Sequence, residues 1–231
     1  MISSLDNPKV KLLLKLNMTK YRKSEKLFIV EGEHLVEEAR KAKVLVEAFS
    51  LEEKAGYTQL DAKILKKICH TDTIISEIGL CRYLAKNEIH EKILILDGIQ
   101  DPGNLGTIMR SACAFNFKTI FIGEGTVDIY NDKVIRSSQG AIFKLDFIFG
   151  NICDFLKEIP EHKIYGTDVL NGIPLEEVSI QKKMAVILGN EGNGISNSVK
   201  SLGLPNIYIP MDNTESLNVA IAGSIIMYKL K

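Results

Sequence analysis

The chain has 231 residues, of which 45% are hydrophobic and 25% charged, the composition of a folded globular protein rather than a disordered or collagen-like one. Its 29 basic side chains balance 29 acidic ones, which argues against a protein that depends on non-specific phosphate binding over its whole surface. There is no signal-peptide core and no apolar run near the roughly 18 residues of a membrane span, so we expect a cytoplasmic protein without membrane contact.

The cysteines and histidines show no pattern typical of a metal site. No two cysteines form a C-x-x-C pair, and no histidine stands at ligand spacing from them. We therefore expect reduced, structural thiols and no metal. The residues concerned are Cys69, Cys81, Cys113, Cys153, His34, His70, His90 and His162.

Positive charge is concentrated at the beginning of the chain. Residues 1–30 carry seven basic side chains against Asp6 and Glu25, a surplus of five. Such a cluster can contact a polyanion, but a solvated helix face explains it equally well, so charge alone leaves both interpretations open. The seven are Lys9, Lys11, Lys15, Lys20, Arg22, Lys23 and Lys26.

Short helices and strands alternate in the first part of the chain. The apolar spacing predicts helices over 8–16, 31–42 and 60–68 and strands over 26–30 and 44–49. Residues 86–91 are polar enough to form a linker. We therefore predict a small α/β domain over residues 1–85.

From Lys92 onward, continuous apolar runs alternate with helical patterns. This is typical of a parallel sheet covered by helices on both faces, so residues 92–231 are predicted to form a doubly wound α/β domain. In such sheets ligands bind beyond the carboxyl ends of the strands. The predicted strands are ILILD, KTIFIG, KLDFIF, KIYGTD, MAVILG and NIYIP, and the predicted helices lie near 104–115, 151–158, 196–202 and 215–229.

The loop DPGNLGTIMR, residues 101–110, follows the strand ILILD and leads into a helix. A strand, a glycine turn and a helix suggest a phosphate at a helix N-terminus, but the spacing is G-x-x-G and not G-x-G-x-x-G. Helical spacing leaves Arg110 pointing away from the apolar side, and Asn104 is expected at the N-cap. That apolar side consists of Leu105, Ile108, Met109 and Ala112.

Two later loops also follow strands. In LGNEGNGIS, residues 188–196, glycines permit close approach to a ligand and Glu191 supplies one carboxylate. In IPMDNTESLN, residues 209–218, Ser216 and Asn218 are predicted to lie in the first turn of the last helix, capped by Thr214 or Ser216. Together with the first loop, these segments would gather a cation, a carboxylate and several amide and hydroxyl groups, an active-site inventory without a metal.

The three loops, in this order, resemble the motifs of the TrmH/SpoU branch of the SPOUT RNA methyltransferases. Residues 104–110 match N-x-x-x-x-x-R, residues 189–196 match G-x-E-x-x-G-I-S, and residues 209–219 match I-P-M followed by S-L-N-V. The resemblance extends to VIRSSQGAIFKLDF, residues 134–147, and to FIVEGEHLVEEA, residues 28–39, which is similar to the family's substrate-binding domain.

The resemblance implies transfer of a methyl group from S-adenosylmethionine to a ribose 2′-hydroxyl in RNA. Ribosomal RNA is favoured over transfer RNA because the N-terminal domain resembles that of the rRNA-directed members. The family fold implies a homodimer, a SPOUT domain tied in a deep trefoil knot around the cofactor, and an N-terminal domain similar to ribosomal L30e.

By motif position, the resemblance also implies the roles of individual residues. A guanidinium stays protonated at ordinary pH, so Arg110 is expected to clamp phosphate and stabilise charge rather than to take a proton. The catalytic group implied is Arg110, Asn104, Glu191, Ser216 and Asn218. The cofactor site implied is Thr167, Leu188, Gly189, Asn190, Gly192, Ile209, Pro210, Met211, Leu217 and Asn218.

Three other functions fit parts of the sequence. A dinucleotide-dependent oxidoreductase would explain the first loop but lacks the third glycine and a clear acidic residue after the next strand. A tRNA ribose methyltransferase, or a catalytically silent RNA-binding protein, would share the same fold. The intact set of five candidate catalytic residues argues against a silent protein.

Overall fold

The computed structural model describes residues 1–69, 75–85 and 87–231, so His70 and Lys86, the first residue of the predicted linker, lie outside the described residues. The chain forms two compact units. The first combines Met1–Ala85 with Asp128–Phe143, and the second combines Lys86–Val127 with Lys144–Lys231. Within the described ranges, no helix has both the length and the apolar character needed to cross a bilayer.

The first unit contains a four-stranded sheet with the order β1-β4-β2-β3. Strand β4 is antiparallel to both β1 and β2, and β2 is parallel to β3. The strands are β1 (Leu27–Glu31), β2 (Leu45–Ser50), β3 (Thr58–Gln59) and β4 (Glu77–Arg82). The helices are α1 (Pro8–Lys15), α2 (Thr19–Glu25), α3 (Glu33–Lys41) and α4 (Ala62–Ile68).

All five elements predicted for residues 1–68 are present within a few residues of their expected bounds. The sequence did not predict α2, β3 or β4. Strand β4 pairs on both sides, and its first five residues are buried in succession, so no alternation of apolar and polar residues marks it. Its Ile78 packs into one core with Val10, Leu13, Phe49 and Ile64.

Residues 128–143, which the sequence division assigned to the second domain, pack instead with the first unit. The ring of Tyr130 stacks on Tyr83 with centroids 3.8 Å apart and lies 4.7 Å from the ring of Phe28. Asp128 accepts a salt bridge from Arg22 at 2.7 Å. The segment contains the α-helix α6 (Asp132–Ser138) and most of a short 3₁₀ helix (Ala141–Lys144), neither of which was predicted.

The second unit contains a seven-stranded sheet in which every pairing is parallel, as the apolar runs predicted. The strand order is β7-β6-β5-β10-β8-β11-β9. The strands are β5 (Lys92–Asp97), β6 (Thr119–Gly123), β7 (Asp146–Gly150), β8 (Lys163–Thr167), β9 (Ile173–Pro174), β10 (Met184–Gly189) and β11 (Asn206–Tyr208). The helices are α5 (Pro102–Ala114), α7 (Ile152–Glu158), α8 (Asn197–Lys200) and α9 (Val219–Leu230). Of these strands and helices, the two-residue β9 was not predicted, nor was the short 3₁₀ helix that follows it (Leu175–Glu177).

Strands β5 and β10 are neighbours at the centre of this sheet. Their register pairs Leu96 with Leu188 and Asp97 with Gly189, so both strands end at the same level. The loop that leads into α5 and the loop that follows β10 therefore begin side by side. This places two of the three motif loops at one edge of the sheet.

The two helices that follow motif loops begin differently from the prediction. Asp101, and not Asn104, caps α5, because its side chain accepts a hydrogen bond from the Asn104 amide at 2.8 Å. Helix α9 begins only at Val219, with Asn218 as its cap. Ser216 and Asn218 thus precede the helix instead of lying in its first turn, and neither Thr214 nor Ser216 caps it.

All four cysteines carry free thiols. Burial raises the pKa of Cys69 to about 12 and raises the pKa of Cys81 further. Both thiols therefore stay protonated near neutral pH, and neither has the reactivity of a thiolate.

Candidate active site

Glu191 joins the loop after β10 to the beginning of α5. Its Oε1 accepts hydrogen bonds from the amide of Asp101 at 3.2 Å and from Nδ2 of Asn104 at 3.1 Å. Its Oε2 accepts from the amide of Gln100 at 3.2 Å. Both carboxylate oxygens are therefore engaged by donors of the opposite loop.

Asn104 continues this network to the third loop. Its Oδ1 accepts a hydrogen bond from Nδ2 of Asn218 at 3.0 Å. Oδ1 of Asn218 in turn accepts from the amides of Ala220 at 2.9 Å and Ile221 at 3.3 Å. One chain of hydrogen bonds thus brings together Glu191, Asn104 and Asn218, three of the five predicted catalytic residues.

The surroundings of Glu191 favour its ionised form. Partial burial raises the pKa of this carboxyl, but the hydrogen bonds from Asn104 and from backbone amides, including those of Asp101 and Gln100, outweigh burial and hold the pKa below its usual value. Glu191 is therefore a carboxylate near neutral pH. A carboxylate bound by several donors is suited to holding a loop or a ligand in place.

The glycine loop after β10 is folded tightly on itself. A Cβ on Gly189 would lie 2.2 Å from the carbonyl carbon of Gly194 and 2.3 Å from the amide nitrogen of Ile195, so only glycine fits there. Oδ1 of Asn190 accepts from the amides of Gly192 and Asn193, both at 3.0 Å. The loop is therefore compact and held by its own hydrogen bonds.

Asp97 and Asn190 attach this loop to the end of β5. The side chain of Asp97, which is buried, accepts a hydrogen bond from the Ser196 amide at 2.7 Å. Nδ2 of Asn190 donates to the carbonyl of Gly98 at 2.8 Å. Asp97 was not among the predicted site residues, although a carboxylate ending the otherwise apolar strand ILILD was a visible signal.

A cleft of about 600 Å³ lies beside the hydrogen-bond network. It is formed by the ends of β8, β10 and β11 and by the loop that precedes α9. Such a volume is typical of a small-molecule site. Of the predicted cofactor residues, Thr167, Leu188, Gly189, Asn190, Gly192, Ile209, Met211, Leu217 and Asn218 line it. Pro210 is exposed and does not line it.

The cleft is lined by apolar residues and by charges of both signs, some of which the sequence did not predict. Tyr208 and Ile226 add apolar surface, Asp168 adds a carboxylate and Lys200 adds a basic side chain. Hydrogen bonds from the backbone amides of Leu170 and other residues lower the pKa of Asp168, so this group is ionised near neutral pH. An apolar cleft with both acidic and basic side chains suits a ligand that carries both positive and negative charge.

Arg110 and Ser216 stand outside the hydrogen-bond network. Arg110 is exposed, as predicted, and its guanidinium makes no hydrogen bond or salt bridge with the residues that the structure describes. Ser216 lines the cleft, and its carbonyl accepts from Oγ1 of Thr214 at 3.1 Å. Arg110 is thus available to a ligand, and no group of three metal-binding side chains occurs in the described ranges.

The sequence matches two family models. Residues 91–228 match the SpoU rRNA Methylase family, and residues 7–77 match the MRM3-like substrate binding domain. Over its whole length the chain is 34% identical to the 23S rRNA (guanosine(2553)-2′-O)-methyltransferase RlmP of Bacillus subtilis, of which the alignment covers 98%. It is 30% identical to an uncharacterized tRNA/rRNA methyltransferase of Synechocystis, with all of this chain and 93% of that protein covered.

Solved structures share the whole fold. An RNA 2′-O ribose methyltransferase superposes with a TM-score of 0.82 at 26% identity, covering 99% of this chain and 97% of that one. An AdoMet-bound rRNA methyltransferase from Sinorhizobium meliloti gives a TM-score of 0.89 at 24% identity, which is a likeness of fold, over 99% of this chain and 96% of that one. The chain belongs to the SpoU rRNA methylase family.

Proposed function

We propose that this protein transfers a methyl group from S-adenosylmethionine to a ribose 2′-hydroxyl of ribosomal RNA. The observation that carries the proposal is the junction of three motif loops beside a cleft of about 600 Å³. Membership of the SpoU family and full-length similarity to a 23S rRNA 2′-O-methyltransferase support it.

The cleft fits S-adenosylmethionine in size and chemistry. Leu188, Ile209 and Leu217 would contact apolar parts of the cofactor, and the loop that packs tightly against Gly189 forms part of the same wall. The carboxylate of Asp168 suits the positive charges of the ligand. When bound, the cofactor supplies a methyl group that its sulfonium has already activated.

The protein's main task is then to align the ribose hydroxyl with the methyl carbon. Holding two reactants in line replaces a bimolecular encounter and lowers the barrier without a metal. Arg110, exposed and unpaired among the described residues, would clamp the phosphate next to the target ribose. Glu191, Asn104 and Asn218 hold the loops in register, and Ser216 supplies a hydroxyl at the cleft.

Methyl transfer to defined RNAs tests this function. The purified protein is incubated with tritiated S-adenosylmethionine and unmodified 23S rRNA, with 16S rRNA and total tRNA as alternative substrates. We expect label in 23S rRNA, located at a 2′-O-methyl ribose by mapping. Label in tRNA alone would show that the substrate is tRNA and not rRNA. Calorimetry showing binding of NAD but not of S-adenosylmethionine would contradict methyl transfer itself.

We also propose a homodimer formed through α9. Ile221, Ile225 and Tyr228 are 53%, 39% and 58% exposed and recur at helical spacing, so they lie along one side of the helix. A second copy of the chain would cover this apolar strip. Sedimentation showing a monomer at micromolar concentration would contradict this proposal.

The resemblance extends the proposal to three further properties. They are a deep trefoil knot in the second unit, an L30e-like fold in the first and a cytoplasmic location. The position of β10 between β5 and β8 supports the knot, since the chain must return to the centre of the sheet after β8 and β9 have formed on one side of it. The four-stranded sheet with flanking helices supports the L30e-like fold.

A further inference from the structure

Four exposed lysines surround the turn between α1 and α2 in the first unit. Lys15 ends α1, Lys20 and Lys23 lie on α2, and Lys26 follows directly as its C-cap. Throughout the described part of the chain, no carboxylate forms a salt bridge with any of the four. We call these residues the α1–α2 lysine cluster.

The other basic residues of this segment are already neutralised. Lys9 pairs with Glu47 at 2.6 Å, and Lys11 pairs with Asp6 at 2.9 Å. The guanidinium of Arg22 is buried and paired with Asp128, so this residue adds no charge that a polyanion could reach. The positive charge left for a ligand is therefore confined to the cluster.

Arg22 fixes the shape of the turn that carries the lysines. Its guanidinium donates to the carbonyls of Leu16 at 2.9 Å and Asn17 at 3.0 Å, and to Oγ1 of Thr19 at 2.8 Å. The same group donates twice to Asp128, at 2.7 and 3.0 Å. The backbone between α1 and α2 is thus held by a saturated arginine and presents the lysines from a rigid base.

Two tyrosine rings contact three of the four ammonium groups. Nζ of Lys15 and Nζ of Lys20 lie 5.6 and 5.9 Å from the ring centroid of Tyr21. Nζ of Lys26 lies 5.6 Å from the ring centroid of Tyr83. Because ammonium groups already occupy these ring faces, the cluster is better suited to neutralising backbone phosphates than to stacking on bases.

We propose that the α1–α2 lysine cluster binds phosphates of the RNA substrate without reading its sequence. The inference rests on the proposed function and specifies how the first unit would hold the substrate. A polyanion is the complementary ligand because, among the described residues, four lysines within twelve positions of one another have no carboxylate partner, in a chain whose net charge is zero. The cluster adds affinity for RNA and takes no part in methyl transfer.

The test compares two charge-matched double variants. K15Q/K20Q removes two members of the cluster, while K63Q/K118Q removes two exposed lysines elsewhere that likewise have no salt-bridge partner in the described ranges. Binding of unmodified 23S rRNA is measured at several salt concentrations by filter retention, and kcat and KM are measured by tritium transfer. Thermal unfolding checks that both variants fold.

We expect K15Q/K20Q to reduce the slope of log affinity against log salt by about 1.4 to 1.8, because the variant neutralises two fewer phosphates. The wild type should then lose about tenfold more affinity than K15Q/K20Q between about 50 and 200 mM salt. KM should rise while kcat stays unchanged, because uniform binding is removed. K63Q/K118Q should match the wild type.

Equal salt slopes for both double variants would overturn the proposal. It would also be overturned if K15Q/K20Q bound RNA normally but no longer bound vesicles containing phosphatidylserine, since the cluster would then serve a membrane surface. Absence of methyl transfer by the wild type would instead contradict the proposed function. Filter retention would still test the cluster in that case.

Discussion

The cleft and the α1–α2 lysine cluster use polar side chains in opposite ways. Beside the cleft, Glu191, Asn104 and Asn218 bind one another and the backbone, so their geometry is set before any ligand arrives. In the cluster, four ammonium groups lack a carboxylate partner in the described ranges. Alignment of a reaction requires donors and acceptors fixed in advance, whereas polyanion binding requires charge that is still available.

Arg110 belongs to the second unit but resembles the lysine cluster in being unpaired within the described ranges. The loop that begins α5 therefore combines both arrangements. Asn104, on the same helix, is fixed by neighbours, while Arg110 is held for a ligand. Variants of these residues test whether hydrogen-bonded and unpaired side chains contribute differently to stability and to methyl transfer.

The largest effect is expected from Gly189→Ala. The added methyl would lie 2.2 Å from the carbonyl carbon of Gly194, so the loop must move and the cleft must change shape. We expect loss of S-adenosylmethionine binding by calorimetry and a decrease of about 1–3 kcal/mol in the free energy of unfolding. Gly192→Ala, whose methyl would lie 3.6 Å from Oδ1 of Asn190, should have a smaller effect on both. Equal cofactor binding and equal stability of the two variants would show that the close packing at Gly189 is not important for the cleft.

Arg110→Ala should reduce kcat/KM for methyl transfer by about 10²- to 10³-fold, the range for loss of one charged stabilising group. Cofactor affinity and the free energy of unfolding should remain those of the wild type, because this side chain contacts no described residue through a polar bond. Arg110→Lys should recover part of the loss, since it keeps the charge but not the planar fork. Near-normal methyl transfer by a folded Arg110→Ala variant would refute the proposed role of Arg110 in binding the phosphate.

A double-mutant cycle tests whether Glu191 and Asn104 form one network. We expect N104A and E191A to be non-additive in unfolding free energy by about 0.5–3 kcal/mol, because each removes a partner of the other. Ser201 bonds only within its own helical turn, so S201A with E191A is the control pair and should be additive within about 0.5 kcal/mol. Additivity in both pairs would show that the two loops are not coupled.

The smallest effect concerns pH. The pKa of Glu191 is lower in the folded protein than its ordinary value of 4.5, so its stabilising contribution is complete above about pH 4.5 and is lost as the pH falls through the lower folded value. The difference in unfolding free energy between wild type and E191Q should be constant from pH 7 to about 5 and then shrink. If the difference in unfolding free energy between wild type and E191Q grew on acidification, the pKa of Glu191 would be raised by folding, contrary to the prediction.

Much of the fold was predictable because it depends on local patterns. Buried parallel strands such as β5 and β10 are continuous apolar runs, and α5 shows its apolar side by spacing alone. The packing of residues 128–143 with the first unit was not predictable. It depends on Tyr130 meeting Phe28 and Tyr83, which are distant in sequence.

All predicted cofactor residues except Pro210 line the cleft, but many of its other lining residues, such as Asp168 and Tyr208, were not predicted. The hydrogen bonds among the polar residues were not predicted either. The motif loops mark Glu191, Asn104 and Asn218 without indicating that they bind one another. Several residues satisfy the rule for an N-cap at the start of each helix, and only the backbone conformation selects Asp101 over Asn104. The burial of Arg22 could not be predicted from the sequence either, because its partner Asp128 is more than a hundred residues away.

Asn218 gives the network a direction. Its oxygen must face the α9 amides and its nitrogen must face Asn104, so every donor in the chain points toward Glu191. An ionised aspartate could begin the helix but could not donate to Asn104. At the other end of the network, a group with two acceptor oxygens suits position 191, because each oxygen of Glu191 accepts a backbone amide. The network thus runs from an amide at one helix start to a carboxylate beside another.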